Sequence, residues 1–100
     1  MVFTTDEIRT RLTPIMEKNK VRRAVLFGSY SKGTATELSD VDIMVDSPLR
    51  GLDFFGFVED IRERLGDKEV DVIDAMEIIP NSPIEKEINA SGVEIYARML

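Results

Sequence analysis

Two aspartates spaced two apart, Asp40 and Asp42, interleave with Val41, Ile43 and Val45. On a β-strand, side chains alternate between faces, so the apolar residues share one face and both carboxylates project from the other. There they can close on one hard cation or on two adjacent ones. Carboxylates that close repel unless a cation or a basic group stands between them, which gives the spacing a reason to exist around a metal. By itself, Asp-x-Asp also fits an edge strand with solvated aspartates. Ten residues separate Asp40 from Gly28-Ser29. Glycine lets a backbone come close to a phosphate, and serine adds a hydroxyl beside backbone N–H donors, the local chemistry of a triphosphate cradle. With residue types near ~6% each, the four positions together would match by chance on the order of once in a thousand chains of this length.

The rest of the composition narrows the chemistry. The 100 residues contain no cysteine, no histidine and no tryptophan. That removes a disulfide framework, an iron–sulfur site and a thiol nucleophile, together with the commonest zinc ligand and the commonest general base. Carboxylates, hydroxyls, amines and backbone remain, and these suit magnesium or manganese. The net charge of −6 argues against a protein that coats nucleic acid. Its distribution is uneven: residues 1–39 carry seven basic and four acidic side chains, residues 40–100 six and fifteen. No apolar run approaches the ~18 residues of a membrane span, and the N-terminus lacks the pattern of a signal peptide, so the expected location is cytoplasmic.

These residues need elements to hold them. Thr4 and Glu7 read as a capping box ahead of Ile8, Leu12, Ile15 and Met16, which predicts a helix from about Thr5 to Asn19, kinked or split near Thr13 by Pro14. Val21 to Phe27 ends in a short apolar run before Gly28 and reads as a strand buried on both faces. Residues 28–39 favour a turn with room for one helical turn. A second strand covers about Asp40 to Val45. Phe54, Phe55, Val58, Ile61 and Leu65 predict a helix over Leu52–Leu65 that Gly66 terminates, with Phe57 off the apolar stripe, partly exposed and available to a partner. Glu69 to Ile73 reads as a third strand, with Asp71 and Ile73 on one face and Val70 and Val72 on the other. Ser82, Pro83 and Glu85 start a short helix closed by Gly92, and Val93 to Ala97 form a final strand. The order implies a single α/β (α+β) domain over residues 1–100, a small mixed sheet packed by helices.

At this point the chain resembles a known family. Leu26-Phe-Gly-Ser-Tyr-Ser-Lys-Gly33, then Thr34 to Ser39, then Asp40-Val-Asp-Ile43 looks like the signature of the minimal nucleotidyltransferases of the DNA polymerase β superfamily. Gly51-Leu-Asp-Phe-Phe55 and Glu69-Val-Asp-Val-Ile73 are similar to later segments of that family. The resemblance implies that Gly28, Ser29, Lys32 and Gly33 bind the nucleotide. It implies that Asp40 and Asp42 bind magnesium, two ions with manganese as a possible substitute, and that Asp71 is the third carboxylate, completing the metal site and helping to deprotonate the attacking hydroxyl. Strand parity favours Asp71 over Asp74, which reads as a solvated strand end, and Asp46 reads as a loop residue. Lys32 stands where the family usually has arginine, which keeps the charge and loses bidentate phosphate recognition. A solvated lysine is the other reading of that position.

The reaction implied is nucleotidyl transfer, with ATP as the expected substrate and a hydroxyl as acceptor. Superfamily members acting on DNA, tRNA or antibiotics usually add domains that hold the acceptor, so the acceptor here is expected on another molecule. Minimal nucleotidyltransferases are commonly paired with a small helical toxin ribonuclease of the HEPN type, and the resemblance implies an antitoxin that transfers AMP to such a partner within a complex. A binding-only antitoxin, which neutralises its toxin without catalysis, is the alternative.

Overall fold

The computed structural model describes residues 2–98. The first helix, α1 (Thr5–Lys18), starts at the Thr4 capping box: Thr4 Oγ1 accepts from Glu7 N–H at 3.1 Å, and Thr4 N–H donates to Glu7 Oε1 at 2.9 Å. Ile8, Leu12, Ile15 and Met16 form its buried stripe. Pro14 does not split it. The missing N–H leaves only the Thr10 carbonyl without a helical donor, and both Thr10 and Pro14 lie on the exposed side, where water can serve. The Thr13 hydroxyl donates to the Arg9 carbonyl at 2.7 Å in the same turn.

The remaining elements are β1 (Arg23–Phe27), α2 (Ser29–Lys32), β2 (Val41–Asp46), α3 (Leu52–Arg64), β3 (Val70–Asp74), a 3₁₀ turn (Ala75–Glu77), α4 (Pro83–Ser91) and β4 (Val93–Ala97). The four strands make one mixed sheet in the order β3-β2-β1-β4. Strand β1 is antiparallel to β2 and β4, and β2 is parallel to β3. The parallel pair is joined through α3, as a parallel connection requires. Among the described residues, no helix is long and apolar enough to cross a membrane.

Strand alternation divides the core. Ala24, Leu26, Val41, Ile43 and Val45 pack under α1 and α3, while Val25, Phe27 and Met44 pack on the other face with Ile88 of α4. The central strands are therefore apolar on both sides, which is why β1 reads as a continuous apolar run. Helix α4 begins at Ser82, whose Oγ accepts from Glu85 N–H, and has Pro83 in its first turn. It ends at Gly92, where a side chain would collide with the Ile88 carbonyl and with Val25, so glycine lets the chain turn directly from α4 into β4 against the sheet.

The face of α3 differs from the expectation. Phe57 is 2% exposed and belongs to the core, whereas Phe55 is 63% exposed. At about 100° per residue the buried arc runs from Phe57 through Ile61, Phe54 and Leu65 to Val58 and is about 100° wide, the ordinary width of a core-facing stripe. Phe57 occupies one edge of that arc, its ring centroid 6.0 Å from that of Phe54. Phe57→Ala is expected to cost about 3–5 kcal/mol in denaturant unfolding, against less than ~0.5 kcal/mol for Phe55→Ala. Equal losses at the two positions would contradict this assignment of the helix face.

Candidate active site

The site begins where β1 ends. Gly28 has φ 72° and ψ −150°, a backbone region that side chains essentially forbid. A second constraint acts there too, because a Cβ at this position would collide with Asp42 Oδ2. The backbone of the turn requires glycine, and the turn packs against the Asp42 carboxylate. The one-turn helix α2 is held by Lys32 N–H donating to Gly28 O at 3.2 Å and by the Ser31 hydroxyl donating to the same carbonyl at 2.9 Å. Gly33, with φ 74°, reverses the chain, and Thr34 N–H returns to Ser29 O at 3.0 Å. The N–H groups of Ser29, Tyr30 and Ser31 open the helix without helical acceptors. Among the described residues, nothing bonds to the Ser29 hydroxyl.

The carboxylates follow from strand register. Asp42 lies between Phe27 of β1 and Asp71 of β3, and paired residues on neighbouring strands project to the same face. Asp40, one residue before β2, shares that parity. All three acids therefore stand at one end of the sheet face that α4 covers elsewhere. Asp42 is half-buried, and Asp40 and Asp71 are exposed. Burial, then the charges of Asp71, Asp40 and Glu87, pushes the Asp42 carboxyl above the ordinary aspartate range. An all-oxygen, anionic donor set whose members repel one another fits a hard divalent cation. In the side-chain conformations present, no three acidic groups among the described residues are gathered closely enough to hold an ion. Ligation by all three would therefore draw the side chains inward.

Two further acids take other roles. Asp74 is not solvated: its side chain is 13% exposed, Oδ1 accepts from Met76 N–H at 3.0 Å to cap the 3₁₀ turn, and Oδ2 lies 3.7 Å from Arg50 Nη1. Asp46 is the last residue of β2 rather than a loop residue, paired with Arg22 at 2.8 Å. Register places Asp74 opposite Val45, on the face away from Asp42 and Asp71, as parity predicts, but its role as a cap two residues before its N–H partner, a local pattern, went unread.

Sequence reasoning also passed over Glu87. It stands on α4 next to buried Ile88, and its Oε1 receives the Lys32 ammonium at 3.0 Å. The signal available was slight, one acid in a capped helix adjoining an apolar position. A concavity of about 460 Å³, lined by Pro14, Ile15, Lys18, Asp60, Glu63 and Arg64, lies between α1 and α3 on the far side of the sheet from the carboxylates. It shares no residue with the acidic site, which is an open face.

The raised Asp42 carboxyl has a consequence for stability. A group that binds its proton more tightly in the folded state favours the fold at acid pH and loses that contribution as the pH rises through its folded pKa. In EDTA, Asp42→Asn is therefore expected to melt above the parent at neutral pH, with the gap closing as the pH falls below the ordinary aspartate value of ~4. A parent that is the more stable of the two at neutral pH in EDTA would contradict the electrostatics described.

Comparison with known proteins agrees with this architecture. The family model described as "Polymerase beta, Nucleotidyltransferase" matches residues 10–99. A protein of Methanocaldococcus jannaschii named "Putative protein adenylyltransferase" is 39% identical over 77 residues, spanning 75% of this chain and 82% of the relative. Among solved structures, a toxin-antitoxin crystal structure with AMP-PNP superimposes with a TM-score of 0.73 at 24% identity, covering 90% of this chain and 73% of that one. A structure of a tri-AMPylated Shewanella oneidensis HEPN toxin in complex with MNT antitoxin gives 0.68 at 20% identity, covering 95% and 74%. At these identities the structural likeness speaks for the fold. Because the family model spans nearly the whole chain and a relative above 30% identity is covered over most of its length, this protein is a member of the polymerase β nucleotidyltransferase family.

Proposed function

We propose that this protein transfers AMP from ATP to a hydroxyl of a partner protein, with magnesium, and that the partner is a HEPN-type toxin which the transfer neutralises. The observation that carries the proposal is the contact of the Gly28 turn with the Asp42 carboxylate, beside Asp71 in the next strand. A phosphate-binding backbone and a cation-binding acid then share one wall, as transfer at a phosphorus requires. The relative named for protein adenylylation supports a protein acceptor, and the toxin-antitoxin structures, one with AMP-PNP and one with a tri-AMPylated toxin, support its class. The openness of the acidic face supports it as well, since a protein surface needs an accessible site.

In the reaction, the acceptor oxygen forms a bond to the α-phosphorus while the bond to the bridging oxygen breaks, and pyrophosphate leaves with that electron pair. Ser29 and the N–H groups that open α2 hold the leaving phosphates, with Lys32 and the Gly33 turn beside them. The acceptor's proton passes to the Asp71 carboxylate, the role the family resemblance implies for it, in a chain that has no histidine. Magnesium held by Asp40, Asp42 and Asp71 would neutralise charge on the attacking and leaving oxygens.

Transfer of labelled AMP to the co-purified toxin tests this reading. Asp42→Asn should fold and lose about 100-fold or more of the transfer rate, and Ser29→Ala about tenfold, the value of one hydrogen bond to a charged group. Undiminished labelling by Asp42→Asn would sink the catalytic assignment. Co-expression separates the binding-only antitoxin: if Asp42→Asn still protects cells fully, complex formation suffices and AMP transfer is not how the toxin is neutralised.

A further inference from the structure

The ion pair between α2 and α4 ties the phosphate-binding turn to an element outside the family signature. Lys32 closes α2 and reaches across to Glu87, 55 residues later in the chain, at 3.0 Å. Glu87 is not on a loose segment. Its neighbour Ile88 is buried against Val25, Phe27 and Met44, the Ser82 cap fixes the start of α4, and Gly92 fixes its end against the Ile88 carbonyl. A carboxylate is thus held where the ammonium that would meet a terminal phosphate already has an anionic partner. Carboxylate and phosphate oxygens offer a lysine the same chemistry, and lysine, a point charge on a flexible stem, can exchange one for the other without a fixed fork geometry.

We propose that Glu87 holds Lys32 in the nucleotide-free protein and yields it to the β- and γ-phosphates on binding, so that α4 sets the threshold for triphosphate entry. The inference rests on the nucleotide-binding reading above and adds a specificity-determining residue to it. Nucleotide must break the pair to use Lys32. Both side chains are partly exposed, 47% for Lys32 and 36% for Glu87, so the pair is weak and the threshold is correspondingly small.

Calorimetric titration of the full chain with a non-hydrolysable ATP analogue and magnesium tests it. Glu87→Gln is expected to bind the analogue about two- to fivefold more tightly than the parent, the range open to an exposed ion pair. Lys32→Gln should bind more weakly, and adding Glu87→Gln to it should bring no gain, because the cation that Glu87 restrains is then gone. AMP, which lacks the terminal phosphates, should bind parent and Glu87→Gln alike. Weaker binding by Glu87→Gln, an equal gain in the Lys32→Gln background, or an equal gain for AMP would each overturn the proposal while leaving nucleotide binding standing. No heat from the parent or from any variant would remove the nucleotide reading, and this inference with it.

Discussion

The register that sets Phe27, Asp42 and Asp71 side by side across β1, β2 and β3 is the constraint on which the rest depends. A slip of one residue in β2 would turn Asp42 into the core beneath α1 and α3 and push Ile43 out among the acids. The apolar residues guard against that slip on both faces. Ala24, Leu26, Val41, Ile43 and Val45 are buried on one side, and Val25, Phe27 and Met44 on the other. The cost of misregister is therefore several buried side chains at once, each worth about 1.5–3 kcal/mol. Against a penalty of that size, the mutual repulsion of a few carboxylates at the sheet's end is a minor term. The core dictates where the charges stand, and they have no energetic means of moving away.

The second face of the sheet is divided between packing and chemistry. Ile88 covers the middle of it, and the acids occupy the end near the Gly28 turn. The division depends on α4 being short and tightly seated, which its two ends secure by different means: a serine cap at the start, and at the finish a glycine where any side chain would strike backbone.

Much of this was legible in the sequence because it is written in local patterns. The alternation of Val41, Asp42 and Ile43 gives strand parity, Thr4 with Glu7 and Ser82 with Glu85 give helix starts, and the final strand occupies Val93–Ala97 as expected. Parity also put Asp71, and not Asp74, on the face that carries Asp42, as the register shows. What escaped depended on the third dimension. Whether Phe57 is inside turns on the width of the arc that α1 and the sheet cover, and the spacing of α3's residues describes a stripe without fixing its edges. Pro14 is tolerated because its side of α1 faces solvent. Glu87 is separated from Lys32 by 55 positions, and only the docking of α4 on the sheet brings them together.

The acidic excess of the C-terminal part is mixed in origin. Glu59, Asp60, Glu63 and Asp67 decorate the solvent side of α3 and its exit, Asp46 and Asp74 are paired with arginines, and Asp40, Asp42 and Asp71 are left facing one another. Among the described residues those three have no arginine partner, whereas Arg22, just before β1, and Arg50, in the loop after β2, pair with Asp46 and Asp74 at the other end of the sheet. A fold selected for stability alone would place a cation among them or replace one. Asp42, half-buried and surrounded by like charge, bears most of that repulsion, and burial and its acidic neighbours together raise its carboxyl.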